Sequence, residues 1–428
     1  MTTLRGEPCN LERAGRWVMS RGISLLGLFS MMLLAWLLSE NRRRMNWRLI
    51  ASGVLLQFAL GVLLLWEQSP GRRVFEYARA LITAIIGCSD EGARFVFSPF
   101  FWDPEYFPNG PPFVVAVLPP VIFFSSLTAV LFYLGALQWL VRLMARIMVW
   151  VMDTSGAESL CAAANVFIGM TTAPFVIRPY LGTMTRSEIM AMMTGGMATV
   201  AGGTMAAYAA MGADAGHLLV ASLMSAPASL VIAKIIVPEL DDSPTKGEVR
   251  IEVPVEDANV LDAACRGASE GLKLALNIAA MLIAFIAIVH LLNWALSPLP
   301  EVAGAPLTFQ RMLGWVCAPL AWVMGVPWDD APTVGALLGE KTIFNEFVAY
   351  QHLTAPDVRE ALAPRSFTIA TYALCGFANF GSIAVMIGGI GGLVPPRRAD
   401  FAKYGLRSMI GGALAAFMTA SIAGVLIP

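Results

Sequence analysis

Long apolar segments recur along the chain, and several are long enough to cross a lipid bilayer. The first two run from Ile23 to Leu38 and from Leu49 to Trp66. A membrane-spanning helix needs about 20 predominantly apolar residues, because the hydrocarbon layer is about 30 Å thick. The pattern therefore predicts an all-α polytopic membrane protein with about eight transmembrane helices.

Charged residues are too scarce to cover the surface of a soluble enzyme. They make up 14% of the 428 residues, whereas 57% are hydrophobic. Soluble domains carry about 25% charged residues. The formal net charge of −1 provides no basic surface for nucleic acid. The six cysteines include no CxxC pair and the three histidines are isolated, so no zinc site is predicted.

Loop charges and apolar runs divide the chain into six parts. Arg42, Arg43 and Arg44 follow the first apolar run and predict that this loop is cytoplasmic. Met19 lies just before the same run and is an alternative start of the chain. The parts are an N-terminal extension (1–21), spans with an interfacial helix (22–135), a first repeat (136–237), a polar loop (238–270), a single span (271–297) and a second repeat (298–428).

The two repeats share an order of interrupted apolar segments. In each, an apolar stretch with a polar centre predicts a re-entrant hairpin, and a broken span and an intact span follow. Paired interruptions of this kind are typical of transporters with inverted repeats, whose ligand sites lie at the breaks near the bilayer midplane. The predicted hairpins lie within 159–178 and 311–350, and the broken spans are 187–211, interrupted at 201–203, and 366–393, interrupted at 377–379.

Glu346 is the strongest candidate for a functional residue. A carboxylate inside a membrane hairpin costs about 2.5–3.5 kcal/mol and is functional by default. Two alternatives remain: Glu346 lies in water at a hairpin end, or it pairs with a buried arginine such as Arg178. Glu158 and Arg178 flank the first hairpin, and we expect both at the membrane interface. Serine and threonine at the breaks can equally bond to their own helices.

Five motifs in register carry a family resemblance. The segments AAANVFIGMTTAPFVIRPY, GGMATVAGGTMAAYAAMG, GVPWDD, KTIFNEFVAY and CGFANFGSIA resemble hallmarks of the concentrative nucleoside transporters. The similarity extends from about Ser20 to the C-terminus. It implies a homotrimer in the bacterial inner membrane. A scaffold in each protomer holds an elevator-type transport domain, which imports nucleoside with sodium or, in some bacterial members, with protons.

The resemblance also implies roles for individual residues. The coupling sodium ion would contact the first hairpin and the first break, through Asn165, Ile168, Thr171, Thr199 and Val200. Glu346, Asn379 and Ser382 would hold the ribose, and Phe377 would pack against the sugar or base. The base would meet Met170, Thr171, Thr172 and Thr204.

The first hairpin departs from the family pattern. Met170 and Thr172 stand where the family has Gln and Glu, and Thr204 stands where a small apolar residue is common. These changes predict an atypical base preference, and the missing carboxylate favours sodium over proton coupling. Three alternatives stay open: a transporter of modified nucleosides or nucleoside-like compounds, a non-transporting nucleoside sensor, and an intramembrane enzyme. The last is disfavoured because the sequence contains no acid–base pair or metal cluster.

Overall fold

The computed structural model describes residues 10–66, 68–107, 111–246, 257–302 and 304–427. Regular secondary structure in these ranges is helical, as the apolar pattern predicts. The helices of the first half are α1 (Asn10–Leu37), α2 (Trp47–Leu65), α3 (Gly71–Phe97), α4 (Phe113–Tyr133), α5 (Ala136–Met152), α6 (Gly156–Ile168), α7 (Ala173–Val176), α8 (Arg186–Ala198), α9 (Gly202–Ala210) and α10 (Ala215–Ile236).

The second half contains eight further helices within the described ranges. They are α11 (Val260–Leu296), α12 (Phe309–Val323), α13 (Ala331–Ile343), α14 (Glu346–Thr354), α15 (Pro356–Ala361), α16 (Pro364–Leu374), α17 (Phe380–Leu393) and α18 (Arg398–Leu426).

Seven helical segments of the described chain are long and apolar enough to span a membrane. Two of the predicted spans are each built from two helices. The pair α8–α9 is one of the seven, and the pair α16–α17, whose members have 11 and 14 residues, supplies the eighth predicted span. The prediction of an all-α polytopic membrane fold is confirmed.

Two helices begin inside the segments that the sequence divides off as a polar loop and an N-terminal extension. The polar loop was predicted to end at residue 270, but α11 begins at Val260, because the Asn259 side chain accepts a hydrogen bond from the Asp262 backbone N–H at 3.0 Å and caps the helix. Helix α1 begins at Asn10, within the predicted N-terminal extension (1–21), and its apolar span-length part runs from Met19 to Leu37. Residues 1–9 of that extension lie outside the described residues.

Small residues hold α4 and α11 together. Ala263, Gly267, Gly271 and Ala275 recur at every fourth position of α11 and are buried. A Cβ on Gly267 would lie 2.6 Å from the Ala129 Cβ, so the helices meet backbone to backbone. Elsewhere α1 packs along α18 and α2 packs along α10.

Two capping boxes start the helices that carry the first half of the site. Ser155 and Glu158 cap α6, and Thr185 and Glu188 cap α8, each by reciprocal hydrogen bonds between side chain and backbone. Glu158, which the sequence predicts at the membrane interface, is 1% exposed and forms a 2.7 Å ion pair with the buried Lys234. Arg178, by contrast, is exposed.

The α4–α11 contact predicts opposite effects for two glycine substitutions. In Gly267→Ala the new methyl group would lie 2.7 Å from the Ser125 carbonyl oxygen, which is backbone and cannot move aside. We expect a loss of about 1–3 kcal/mol of stability from overpacking. Gly87 of α3 has no atom within 4 Å of its Cβ position, so Gly87→Ala should be neutral or stabilising by about 0.4–1 kcal/mol.

The measurement is thermal unfolding of both purified variants in detergent, followed by tryptophan fluorescence. Equal unfolding temperatures for the two variants would contradict the close contact at Gly267.

Candidate functional site

The first hairpin turns at a glycine. Helix α6 ends at Ile168, and Gly169 adopts φ +80°, a left-handed conformation that an L-residue with a side chain rarely takes. The second arm was predicted as a half-length helix, but α7 has only four residues and continues as a short 3₁₀ turn from Arg178 to Tyr180. Met170 is buried, while Thr171 and Thr172 are exposed at the tip.

The first broken span is interrupted at residues 199–201, not at 201–203. Helix α8 ends at Ala198, Thr199 is extended, and α9 begins at Gly202. Gly202 and Gly203 are therefore helical. Their lack of a side chain permits close packing instead, since a Cβ on Gly203 would lie 2.8 Å from the Ser125 Oγ. Thr204 is buried in the same helix.

The hairpin tip touches this break. A Cβ on Gly169 would lie 2.7 Å from the Ala201 Cβ. One turn earlier, Asn165 is 1% exposed, and its Oδ1 has no hydrogen-bond partner in the described part of the chain. A buried acceptor without a donor costs about 1–3 kcal/mol. This oxygen is therefore suited to a cation.

Further neutral oxygens lie at the same two helix ends. Ile168 is the last residue of α6, and the last four carbonyl groups of any helix lack intrahelical donors. The Val200 carbonyl accepts a hydrogen bond of 3.2 Å from Ser222 Oγ. The Thr199 hydroxyl donates to the Gly195 carbonyl at 2.9 Å, the local bond that threonine often makes, and keeps its lone pairs for an ion.

The second hairpin places Glu346 in the protein interior. Helices α13 and α14 form its arms, and Asn345 caps α14 by accepting a 3.0 Å hydrogen bond from the Val348 backbone N–H. Helix α12, which falls inside the predicted range, is a separate helix packed on α13. Glu346 is 2% exposed, so it does not lie in water, and Arg178 is not its partner.

Glu346 instead accepts hydrogen bonds from both halves of the molecule. Asn379 Nδ2 donates to Oε2 at 2.8 Å, and the Tyr208 hydroxyl donates to Oε1 at 3.1 Å. Asn379 ends the second break, which spans residues 375–379, and its Oδ1 accepts from the Ser382 backbone N–H at 2.8 Å. The predicted interruption at 377–379 is thus confirmed, with Phe377 half-buried inside it.

The second break touches the end of α8, directly before the first break, at Gly376. This residue has φ +144°, and a Cβ on it would lie 2.9 Å from the carbonyl oxygens of both Met197 and Ala198. Only a glycine permits this approach. The contact brings the end of α8 and the second break into one region, so the residues predicted for sodium and for ribose are neighbours in space.

Sequence reasoning missed two residues of this region. Tyr208 gave no signal, because a tyrosine in an apolar helix is indistinguishable from a packing residue. The second is Met386 of α17, whose Cε lies 2.5 Å from the Cβ position of Gly196, while the Met170 Cβ lies 2.9 Å from the same position. Three elements therefore meet beside the hairpin tip.

Comparisons with known proteins agree with this architecture. Family models match three consecutive segments: "Na+ dependent nucleoside transporter N-terminus" at 26–100, "Nucleoside recognition" at 114–215 and "Na+ dependent nucleoside transporter C-terminus" at 217–424. A Bacillus subtilis protein named "Uncharacterized transporter YutK" is 40% identical over 406 residues, which cover 94% of this chain and 98% of that protein.

The chain belongs to the Na⁺-dependent, or concentrative, nucleoside transporter family. This is a family of transporters, not of enzymes.

Solved structures extend the family relationship to three dimensions. The chain superimposes on CNTnw in an inward-facing substrate-bound state with a TM-score of 0.88, at 40% identity and covering 95% of this chain and 99% of that one. A substituted form of CNTnw in an outward-facing state gives a TM-score of 0.90. "Solute carrier family 28 member 3" of Eptatretus stoutii is 42% identical, with 94% of this chain matched, and the match spans 60% of that longer protein.

Proposed function

We propose that this protein is a sodium-coupled symporter that imports nucleosides across a bacterial inner membrane. The observation that carries the proposal is the contact at Gly376, which joins a break rich in neutral oxygens to a buried carboxylate–amide pair. A monovalent cation and a polyhydroxylated substrate can then bind side by side. Family membership and the substrate-bound state named for CNTnw support the same conclusion.

The first break supplies the chemistry that sodium prefers. Its candidate ligands are the Asn165 side chain, the carbonyls of Ile168 and Val200, and Thr171 and Thr199. All of these are neutral oxygen donors, and carbonyl ends of interrupted helices coordinate sodium in transporters. The unpartnered Asn165 Oδ1 is the feature of this structure that most favours an ion there.

The second break supplies the chemistry that ribose prefers. An ionised carboxylate accepts charge-assisted hydrogen bonds from hydroxyl groups, and an amide both donates and accepts. Glu346 and Asn379 are already hydrogen-bonded to each other, so a ribose would meet a preformed pair. Ser382 and Phe377, near the same break, complete the proposed sugar site.

The base side offers few strong hydrogen-bonding groups. Met170 and Met386 present thioethers, which are weak acceptors, and Thr172 and Thr204 present single hydroxyls. A base that relies on several hydrogen bonds would bind poorly there, so the preference should differ from that of relatives with Gln and Glu at the tip. Modified nucleosides with more apolar bases are the alternative substrates.

We propose the family's assembly and mechanism for this chain as well. The α4–α11 pair would be the centre of the scaffold, and the two hairpin repeats would form the moving domain. Exposed apolar side chains on α11, such as Ile283 (74%) and Trp294 (73%), suit contact with lipid or with two further copies in a homotrimer.

Uptake into proteoliposomes tests the function directly. Radiolabelled uridine and adenosine are supplied with and without an inward sodium gradient, and native mass spectrometry of the same preparation reports the number of chains. Sodium-driven accumulation of either nucleoside is expected. A folded protein that binds nucleosides but never accumulates them would support the sensor alternative instead.

Replacing Glu346 should selectively remove the sugar site. Glu346→Gln removes the charge that strengthens hydrogen bonds to ribose hydroxyls, and we expect uptake to fall about 10- to 100-fold. Glu340→Gln is the matched control, because Glu340 is an equally buried carboxylate of the same hairpin but faces His352 Nδ1 at 2.8 Å. Similar losses in both variants would contradict the ribose assignment.

Placing the family's Gln and Glu at the tip of the first hairpin should restore ordinary base selectivity. The double variant Met170→Gln with Thr172→Glu returns two strong hydrogen-bonding groups to the base side. We expect the ratio of uridine to adenosine uptake to change by at least about 10-fold, since sites that hydrogen-bond a substrate discriminate strongly. Competition uptake with a panel of bases is the measurement. Identical selectivity before and after the change would show that the tip does not contact the base.

A further inference from the structure

Three buried aromatic rings connect the first repeat to the second hairpin. Tyr208 of α9 stacks on Tyr350 of α14, with ring centroids 4.2 Å apart and an interplanar angle of 22°. The same Tyr208 ring meets Phe347 edge-on at 4.9 Å. All three side chains are at most 2% exposed. We call this cluster the aromatic strut.

The two tyrosine hydroxyls of the strut have different partners. Tyr350 donates to the Thr371 backbone carbonyl of α16 at 2.7 Å, which is a bond within the second repeat. Tyr208 donates to Glu346 Oε1 at 3.1 Å, which is a bond between the repeats. Of the two stacked tyrosines, Tyr208 therefore contacts the carboxylate of the proposed ribose site through its hydroxyl, and Tyr350 does not.

The Glu346 carboxylate needs two donors to be held in one orientation. Rotation about the bond that carries the carboxylate group (χ3) is only weakly restricted in glutamate. Asn379 holds Oε2 at 2.8 Å, Tyr208 is the side chain that donates to Oε1 at 3.1 Å, and the Glu346 backbone N–H adds a local contact to the same carboxylate. A carboxylate has about four acceptor positions, so these two bonds leave others for substrate hydroxyls.

We propose that Tyr208 is a positioning residue for the ribose site. Its hydroxyl orients the Glu346 carboxylate so that the remaining lone pairs face the sugar hydroxyls, and its stacked ring keeps the second hairpin in register with α9. Tyr208 acts through Glu346 and needs no contact with the substrate. The inference rests on the proposed nucleoside transport.

The test compares Tyr208→Phe with Tyr350→Phe. Each variant removes one oxygen from the same stack and keeps both rings. We expect Tyr208→Phe to raise the KM for a ribonucleoside about 10-fold, because one hydrogen bond to a charged group is lost. The maximal rate and the sodium concentration for half-maximal uptake should change little. Tyr350→Phe should lower the unfolding temperature and leave the KM unchanged.

A nucleoside without the 2′- and 3′-hydroxyls separates positioning from a general structural role. The inhibition constant of the matching 2′,3′-dideoxynucleoside should be the same in wild type and Tyr208→Phe, because the 2′- and 3′-hydroxyls that Glu346 would bind are absent and only the 5′-hydroxyl remains. The ratio of that constant to the ribonucleoside KM should therefore fall about 10-fold in the variant.

Several outcomes would overturn the assignment. An unchanged ribonucleoside KM in Tyr208→Phe would do so, as would equal losses for the ribonucleoside and the dideoxynucleoside, or equal KM increases in the two variants. A Tyr208→Phe protein that no longer folds would make the hydroxyl structural. Absence of sodium-driven uptake by the wild type would remove the proposed function itself, which distinguishes the two failures.

Discussion

Backbone groups exposed by a broken helix cannot face lipid, and this constraint organises the molecule. No water is present in the hydrocarbon layer to satisfy them, so interrupted helices survive only where protein surrounds the break. Here each break is covered by the other and by a hairpin: Gly376 sits against the carbonyls of Met197 and Ala198, and Gly169 sits against Ala201. The same requirement that buries the breaks creates a polar region inside an apolar protein.

That polar region has two kinds of chemistry, set by which residues surround each break. Around the first, the candidate ligands are neutral, and one amide oxygen, on Asn165, has no donor among the described residues. Around the second, the Glu346 carboxylate accepts hydrogen bonds from Asn379 and Tyr208. Neutral oxygens suit a dehydrated monovalent cation, and a carboxylate with free lone pairs suits sugar hydroxyls. Placing them in contact is what a cotransporter requires.

Buried charge elsewhere has a structural explanation. Glu158 pairs with Lys234 at the base of the first hairpin, and Glu340 pairs with His352 between the arms of the second. Both pairs compensate a carboxylate that would otherwise be costly to bury. Glu346 differs from these two because the side chains that donate hydrogen bonds to it, Asn379 and Tyr208, are neutral. The buried Lys341 acts on it electrostatically but donates its own hydrogen bond to the Ala373 carbonyl at 2.7 Å.

The sequence by itself determined the helical membrane fold and the approximate positions of both breaks, and it singled out Glu346 as the strongest candidate for a functional residue. Apolar length, glycine and proline interruptions and an intramembrane carboxylate are local properties that pattern reasoning detects. Only the tertiary structure decided the partners: Tyr208 for Glu346 and Lys234 for Glu158. These contacts join residues far apart in the chain, and neither periodicity nor composition carries information about which distant side chains meet. The sequence did not predict the start of α11, because the Asn259 cap lies within a polar stretch whose composition is typical of a loop.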